Sequence, residues 1–332
     1  MQNAPPQPRD YNFSRRAFIV MRSPDNSAHP PQPALVKRHE SRYAPPCSPM
    51  KIQRRDFLKT SFAASATVAL TARGHAAGAP ASQAGREYYE LRCYHLKADK
   101  RLKASAARAP LDIYLEKALL PALAQRGIKD VGVFTELEVN KPSASATPMA
   151  DSPVWVLTPY ASLDTFARVT AELNRDAAVQ EAAAGYLQVK KASPAFERID
   201  SWLLLAFAGF PQHQVPAFSK NRTPTRIFEM RDYESHSEAK ALSKMDMFND
   251  GEIEVMKDLG MSPVFFGQAL SGPNLPHLRY ITSAPDLATH LANWKKFGPD
   301  PRWVKMKDQP KYAENTSKNT ARFLAPTPYS QI

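Results

Sequence analysis

An α+β chain containing two copies of one β-α-β-β-α-β unit is predicted from three observations. First, the stretch Tyr89-Glu90-Leu91-Arg92-Cys93-Tyr94 returns downstream as Phe228-Glu229-Met230-Arg231-Asp232-Tyr233. Second, the blocks after each stretch keep their order. Glu229 follows Glu90 at an offset of 139; Gly260-Met261 and Val264 follow Gly127-Ile128 and Val131 at 133; Leu278 to Ile281 follow Val154 to Leu157 at 124, an offset that still relates Asp300 to Asp176. Each match is weak alone, so the common order carries the inference. Third, strand and helix signals alternate alike in both copies, in the ferredoxin-like arrangement.

In the first unit, residues 86–212, the strand at Tyr88 to His95 alternates with period 2. Tyr89, Leu91 and Cys93 share one face, and Tyr88, Glu90, Arg92 and Tyr94 share the other. A helix is predicted from Leu111 to Gln125, striped by Leu111, Leu115, Leu119, Ala122 and Leu123 and stopped by Gly127. Strands follow at Val131 to Val139 and Val154 to Pro159, with Lys141 to Pro153 read as a loop. Ser162 caps the next helix, an alanine-rich helix covers Ala177 to Leu187, and Phe196 to Phe207 closes the unit as a strand.

After a polar linker, Pro211 to Thr223, the pattern restarts in the second unit, residues 224–332. Strand Arg226 to Tyr233 places Phe228, Met230 and Asp232 on one face and Ile227, Glu229, Arg231 and Tyr233 on the other. A helix ending at Gly260, strands Pro263 to Leu270 and Leu278 to Ser283, a helix carrying Leu287, Leu291, Trp294 and Phe297, and a last strand at Thr320 to Leu324 complete it.

The chain has 332 residues, 43% hydrophobic and 23% charged, enough apolar content for one large or two small folded units. The formal charge of +12 is uneven: residues 1–49 and 50–85 each hold +4. The remaining +4 is spread over the folded part, so nucleic acid is not an expected partner. Residues 1–49 hold ten of the thirty prolines and no apolar periodicity, so disorder is expected there. Residues 50–81 read as a twin-arginine signal peptide: Met50, Arg54-Arg55, then Phe57-Leu58-Lys59, a mild apolar run and small residues near Ala76. Translation is therefore expected to begin at Met50, with export to the periplasm or beyond and no membrane attachment after cleavage. Cys47 precedes the mature start, which leaves Cys93 alone and excludes an internal disulfide in the mature monomer.

The phrases Met247-Phe248-Asn249-Asp250-Gly251-Glu252-Ile253, Pro263-Val264-Phe265-Phe266-Gly267, Trp294 to Trp303 and the ending Tyr329-Ser330 resemble the NIPSNAP family. The likeness is close over 224–330 and looser over 86–210. It implies a dimeric α/β-barrel type of fold, here a pseudo-dimer made by one chain, related in shape to small haem-degrading and cofactor-free monooxygenases. The family has no agreed biochemical activity.

In such barrels two sheets face each other, and the polar strand faces are expected to line the interior. The candidate ligand-binding residues are Glu90, Arg92, Glu229, Arg231, Tyr233 and Tyr280. Two carboxylates and two guanidiniums together suit a polar pocket for an anionic or polar ligand. They equally suit a structural ion-pair cluster that sets strand register, the commoner use of such groups. Glu252 falls on the apolar stripe of its helix, where the first unit has Leu119. It is a candidate general acid or base, or a hydrogen-bond acceptor for a nearby strand. No two of His95, His213, His236, His277 and His290 stand at a metal-ligand spacing, so no metal is expected. No cofactor is required either, although a single histidine, His236 or His277, could hold haem. The expected function is binding of a small polar or aromatic ligand. The rivals are an oxidoreductase, haem-linked or cofactor-free, using the barrel interior, and an oligomeric interaction protein.

Overall fold

The computed structural model describes residues 85–96 and 104–332. The proline-rich segment 1–49, expected to be disordered, and the expected leader 50–81 lie outside the described residues. The first half runs β1 (Tyr88–Leu96), α1 (Ala104–Ile113), a π-helical turn at Tyr114–Leu119, α2 (Leu120–Gln125), β2 (Gly132–Asn140), β3 (Ser145–Pro148), β4 (Val154–Tyr160), α3 (Leu163–Leu173), α4 (Ala177–Ala182), α5 (Ala184–Leu187) and β5 (Phe196–Ala206). The second half follows the short α6 (Ala217–Lys220). It runs β6 (Ile227–Glu234), α7 (Glu238–Met247), a π turn at Phe248–Glu252, α8 (Ile253–Asp258), β7 (Pro263–Ser271), β8 (His277–Ala284), α9 (Leu287–Phe297), α10 (Pro301–Lys307) and β9 (Lys318–Pro326).

Side-chain caps start the helices where the sequence places them. Ser162 accepts from the Thr165 amide, Ser237 from Lys240, Asp286 from Thr289 and Asp300 from Arg302. Several elements differ from expectation: the alanine-rich helix divides at Ala183 into α4 and α5, and the linker holds the short α6. The first helix begins at Ala104, upstream of the leucine stripe, because alanines there favour helix without needing an apolar face. The expected loop after β2 contains β3, which pairs with β2 through Leu137 to Asn140 as an exposed hairpin arm.

The strands form one sheet in the order β3-β2-β4-β1-β5-β7-β8-β6-β9, and β9 pairs back onto β2. Eight strands thus close into an antiparallel barrel, in a mixed α/β fold. Within each half the order is that of a β-α-β-β-α-β unit, and the halves join at two seams, β5 with β7 and β9 with β2. The sequence offsets carry the register of one half onto the other. Glu90 opposite Thr158 corresponds to Glu229 opposite Thr282, and Arg92 opposite Val156 corresponds to Arg231 opposite Tyr280. Val133 opposite Val156 likewise corresponds to Phe266 opposite Tyr280.

The lumen is filled by one apolar cluster to which all eight barrel strands contribute, among them Tyr89, Phe134, Trp155, Trp202, Phe228 and Phe265. This follows from the width of an eight-stranded barrel, whose interior is about filled by side chains. Two further clusters lie outside the barrel wall. One packs Tyr94, Val133 and Val156 beneath Leu111, Leu115 and Val169, and the other packs Tyr233, Phe266 and Tyr280 beneath Met245, Phe248 and Phe297.

This arrangement corrects the expected lining. The face bearing Tyr89, Leu91 and Cys93, with Phe228 and Met230, turns inward, whereas the Glu90-Arg92 and Glu229-Arg231 faces turn outward beneath the helices. Both faces of each strand are buried, so alternation separates two faces without saying which is the lumen. The narrow lumen takes the apolar face; the helices bring polar partners to the charged one. Among the described residues no helix is long and apolar enough to cross a membrane.

Candidate functional site

Glu229 sits in the middle of β6 beneath α9 and is 2% exposed. Its Oε2 accepts hydrogen bonds from His290 Nε2 at 2.8 Å and Trp294 Nε1 at 2.6 Å. Burial pushes the carboxyl pKa up, but those two donors and the Arg231 charge outweigh it and hold the group below its ordinary value. Arg231 lies with Nη1 3.5 Å from Glu229 and its guanidinium carbon 4.5 Å from the centre of the Trp294 ring. The Tyr233 and Tyr280 hydroxyls meet at 3.2 Å, and burial raises Tyr280 well above the ordinary phenol value.

Glu252 completes this layer. It is 1% exposed and accepts from Lys244 Nζ at 2.8 Å. Burial raises its carboxyl pKa, and the opposing Lys244 and Arg231 charges offset this only in part. Gly251 stands at φ +145°, a conformation that side chains disfavour, inside the π turn that ends with Glu252. Lys244 also lies over the Phe248 ring at 4.6 Å and the Tyr233 ring at 5.2 Å. Five expected site residues, Glu229, Arg231, Tyr233, Tyr280 and Glu252, therefore share one layer, in which Arg231 keeps partial exposure and the other four are buried.

Glu90 and Arg92 occupy the corresponding layer of the first half, apart from the other five. Glu90 accepts from Arg92 Nε at 2.7 Å, Ser201 Oγ at 3.2 Å and the Tyr160 hydroxyl at 3.5 Å. The Arg92 side chain is 26% exposed, and its guanidinium, bonded to Glu90 through Nε, also lies beside the buried Tyr94 hydroxyl. Beside it is a recess of about 30 Å³, lined among others by Tyr114, Val156, Thr158, Tyr160 and Thr170. Buried Thr170 Oγ1 has no partner among the described residues. That volume suits about two water-sized groups.

The recess has a physical origin in the comparison of halves. At the offset of 124, Tyr280, Trp294 and Phe297 of the second half correspond to Val156, Thr170 and Leu173 of the first. Smaller side chains at these positions leave open the space that the second half fills with rings. Arg231 is covered by Trp294, whereas Arg92 faces a threonine.

Sequence reasoning missed several members of these layers. Lys244 stands two helical turns before Glu252, and His290 and Trp294 stand one turn apart on α9, so following the charged stripe along each helix would have found them. It also missed the charged end of the lumen. There Asp232 accepts from Arg279 Nε and from Arg322 Nη1 (2.7 Å), and the Arg279 guanidinium carbon lies 4.0 Å from the centre of a Trp202 ring. Cys93, in the same lumen, has its thiol pKa pushed up to about 12 by burial and nearby carboxylates.

Among the described residues no cluster of ligating side chains could hold a metal ion. For haem, His236 is exposed, while His277 is 1% exposed and lines a groove of about 270 Å³. That volume falls under the roughly 300–1,000 Å³ of pockets for drug-sized ligands, so the residues around His277 do not fit a macrocycle.

Residues 228–331 match the model of the NIPSNAP family, about a third of the chain. No curated protein matches the chain. Among solved structures, the chain is similar to a candidate monooxygenase from Lactobacillus acidophilus NCFM, with 6% identity over 73% of this chain and 94% of that one and a TM-score of 0.46. An uncharacterised NIPSNAP-like domain protein from Burkholderia xenovorans shows 15% identity over 32% of this chain and 89% of that one, with a TM-score of 0.29. A NIPSNAP family protein from Agrobacterium tumefaciens shows 17% identity over 32% and 96%, with a TM-score of 0.29. At such identities and scores none of them assigns an activity to this chain.

Proposed function

We propose that the protein is an exported, internally duplicated NIPSNAP-type binding protein that takes the carboxylate of a small molecule into the first-half recess beside Arg92. The duplication reading is supported by the register equivalences, and the export reading by the twin-arginine stretch at residues 50–81. The observation that carries the binding reading is a pair of groups with hydrogen-bonding capacity to spare facing one recess. Arg92 engages Glu90 through Nε and lies beside the Tyr94 hydroxyl, and buried Thr170 Oγ1 lacks a partner among the described residues. A guanidinium with donors left over beyond its bond to Glu90 suits a planar carboxylate, and the Thr170 hydroxyl supplies a further donor.

The volume of about 30 Å³ admits a carboxylate and leaves the body of the ligand outside. The second-half layer is read as its filled counterpart. There Glu252 pairs with Lys244 within the α7–α8 segment, and Glu229 accepts from His290 and Trp294 of α9, which ties that helix to β6. Calorimetric titration of the full chain with acetate and benzoate tests this. Binding is expected for the natural chain and for Arg231→Gln, and loss of at least tenfold for Arg92→Gln and for Thr170→Trp, which rebuilds the second-half filling. Equal affinity in all four proteins, or no carboxylate binding up to millimolar concentration, overturns it.

A further inference from the structure

The turn at 272–276, between β7 and β8, covers the charged end of the lumen. Pairing between the two strands stops at Gln268 opposite Leu278, so the turn projects beyond that ladder. Two side chains from beneath hold it. Trp202 Nε1 donates to the Pro273 carbonyl oxygen at 3.0 Å, and His277 Nδ1 lies 3.0 Å from the carbonyl oxygen of Asn274. Trp202 and His277 are 4% and 1% exposed. Gly272 stands at φ +126°, and an added Cβ there would lie 2.5 Å from Trp202 Cδ1, so the turn sits close on the ring it covers.

A carbonyl oxygen can only accept, so His277 Nδ1 carries the ring proton and Nε2 a lone pair. Nε2 is buried and has no partner among the described residues. His277, Arg279 and Ile281 alternate onto the lumen side of β8, where the Arg279 guanidinium stacks on Trp202. The carboxylates that face the ring come from β6 and are already engaged. Asp232 accepts from Arg279 and Arg322, and Glu234, directly opposite His277, accepts from Lys318 of β9. β7 brings no titratable side chain, and Glu238 of α7 borders the groove on the outer side of His277. Burial and the Arg279 charge outweigh Asp232, the Asn274 bond and Glu234, and the imidazole pKa is held below 6.5. A proton on Nε2 would create a buried donor without an acceptor, near a guanidinium.

We infer that the turn at 272–276 is an acid-released cap: neutral His277 holds it on the end of the lumen, and protonation of Nε2 lifts it and admits water to His277, Arg279 and Trp202. Because the folded-state value is lowered, the contribution of neutral His277 is complete above pH 6.5 and is lost as pH falls through that lowered value. Opening is local. The Ser235 amide donates to the Pro276 carbonyl oxygen at 3.0 Å and anchors the start of β8, so the barrel strands stay paired while the turn moves.

NMR of the full chain tests this through two signals, the Trp202 indole N–H and the His277 ring. The indole proton of Trp202 is expected to exchange with solvent at least tenfold faster at pH 5 than at pH 7.5, after correction for the intrinsic rate. That of Trp294, which donates to Glu229 in the outer layer, is expected to stay unchanged and serves as the control. The His277 ring is expected to titrate below pH 6.5, with the same midpoint as the exchange. His277→Asn keeps a donor in place of Nδ1 and has no proton to gain, so Trp202 should remain protected at both pH values. If this variant is open at both, the coincidence of the two midpoints in the natural chain decides. The inference is overturned if Trp202 exchanges alike at both pH values, if the ring titrates at or above pH 6.5 or apart from the exchange, or if His277→Asn opens in acid as the natural chain does.

Discussion

The guanidinium of Arg231 lies under the indole of Trp294, 4.5 Å from ring centre to guanidinium carbon, while the same indole N–H donates to Glu229 at 2.6 Å. One tryptophan thus both stacks on a half-buried cation and satisfies the carboxylate beside it. Trp294→Thr, which copies the first half, is expected to cost about 3–5 kcal/mol through the cavity and the lost donor. Urea denaturation measures it. A loss under about 1 kcal/mol would show that the indole does not hold the layer together.

The Lys244–Glu252 pair is expected to be costly to break and cheap to replace. Lys244→Met should destabilise by about 3–5 kcal/mol, since it leaves a buried carboxylate without its cation. At the offset of 133 the two positions correspond to Leu111 and Leu119. The double variant Lys244→Leu/Glu252→Leu is therefore expected to lie within about 1 kcal/mol of the natural chain or above it, read from the same denaturation curves.

His213 ties the linker to the barrel. Glu87 Oε2 accepts from its amide at 2.7 Å and lies 2.9 Å from its Nδ1, while Asp130 lies 3.5 Å from Nε2. Burial lowers the imidazole pKa, but Glu87 and Asp130 outweigh it, and the net pKa is raised above 6.5. A raised folded-state value means that protonated His213 stabilises the fold fully below pH 6.5, and that this contribution is lost as pH rises through the folded pKa. The stability difference between the natural chain and His213→Gln should accordingly shrink between pH 6 and pH 9. A difference independent of pH would rule the ion pair out as its source.

Gly251→Ala is expected to destabilise by about 1–3 kcal/mol, the usual cost of a strained backbone position. An added Cβ would stand 2.9 Å from Met306 Cε at a φ of +145°. Pairing it with Met306→Ala separates the two causes, because the smaller partner relieves the contact and leaves the backbone strain. Full recovery in the double variant would assign the effect to crowding alone.

Much of this molecule was legible from residue order. The offsets between Glu90 and Glu229 and between Val154 and Leu278 agree with the observed strand register, whereas Val131 precedes β2 and packs outside the wall while Val264 falls at a bulge of β7 and packs in the lumen. The orientation of the faces was not legible, because a strand buried on both sides gives alternation no outside to point to. Lys244 was hidden for a related reason: a lysine on a helix is usually solvated, and only the packing shows its ammonium over Phe248 and beside Glu252. The recess by Arg92 became visible only when Thr170 and Val156 were set against Trp294 and Tyr280. That comparison needs the register as well as the letters.

The two joints that close the ring, β5 with β7 and β9 with β2, also set what a shortened gene could make. A product ending in the 211–223 linker would free one edge of β2 and one edge of β5 and strip the cover from Tyr89, Phe134 and Trp202. Such a piece would complete itself by borrowing strands from a twin molecule. Two short chains, one from each half, would be drawn to each other for the same reason, which makes the protein a natural candidate for splitting and reassembly.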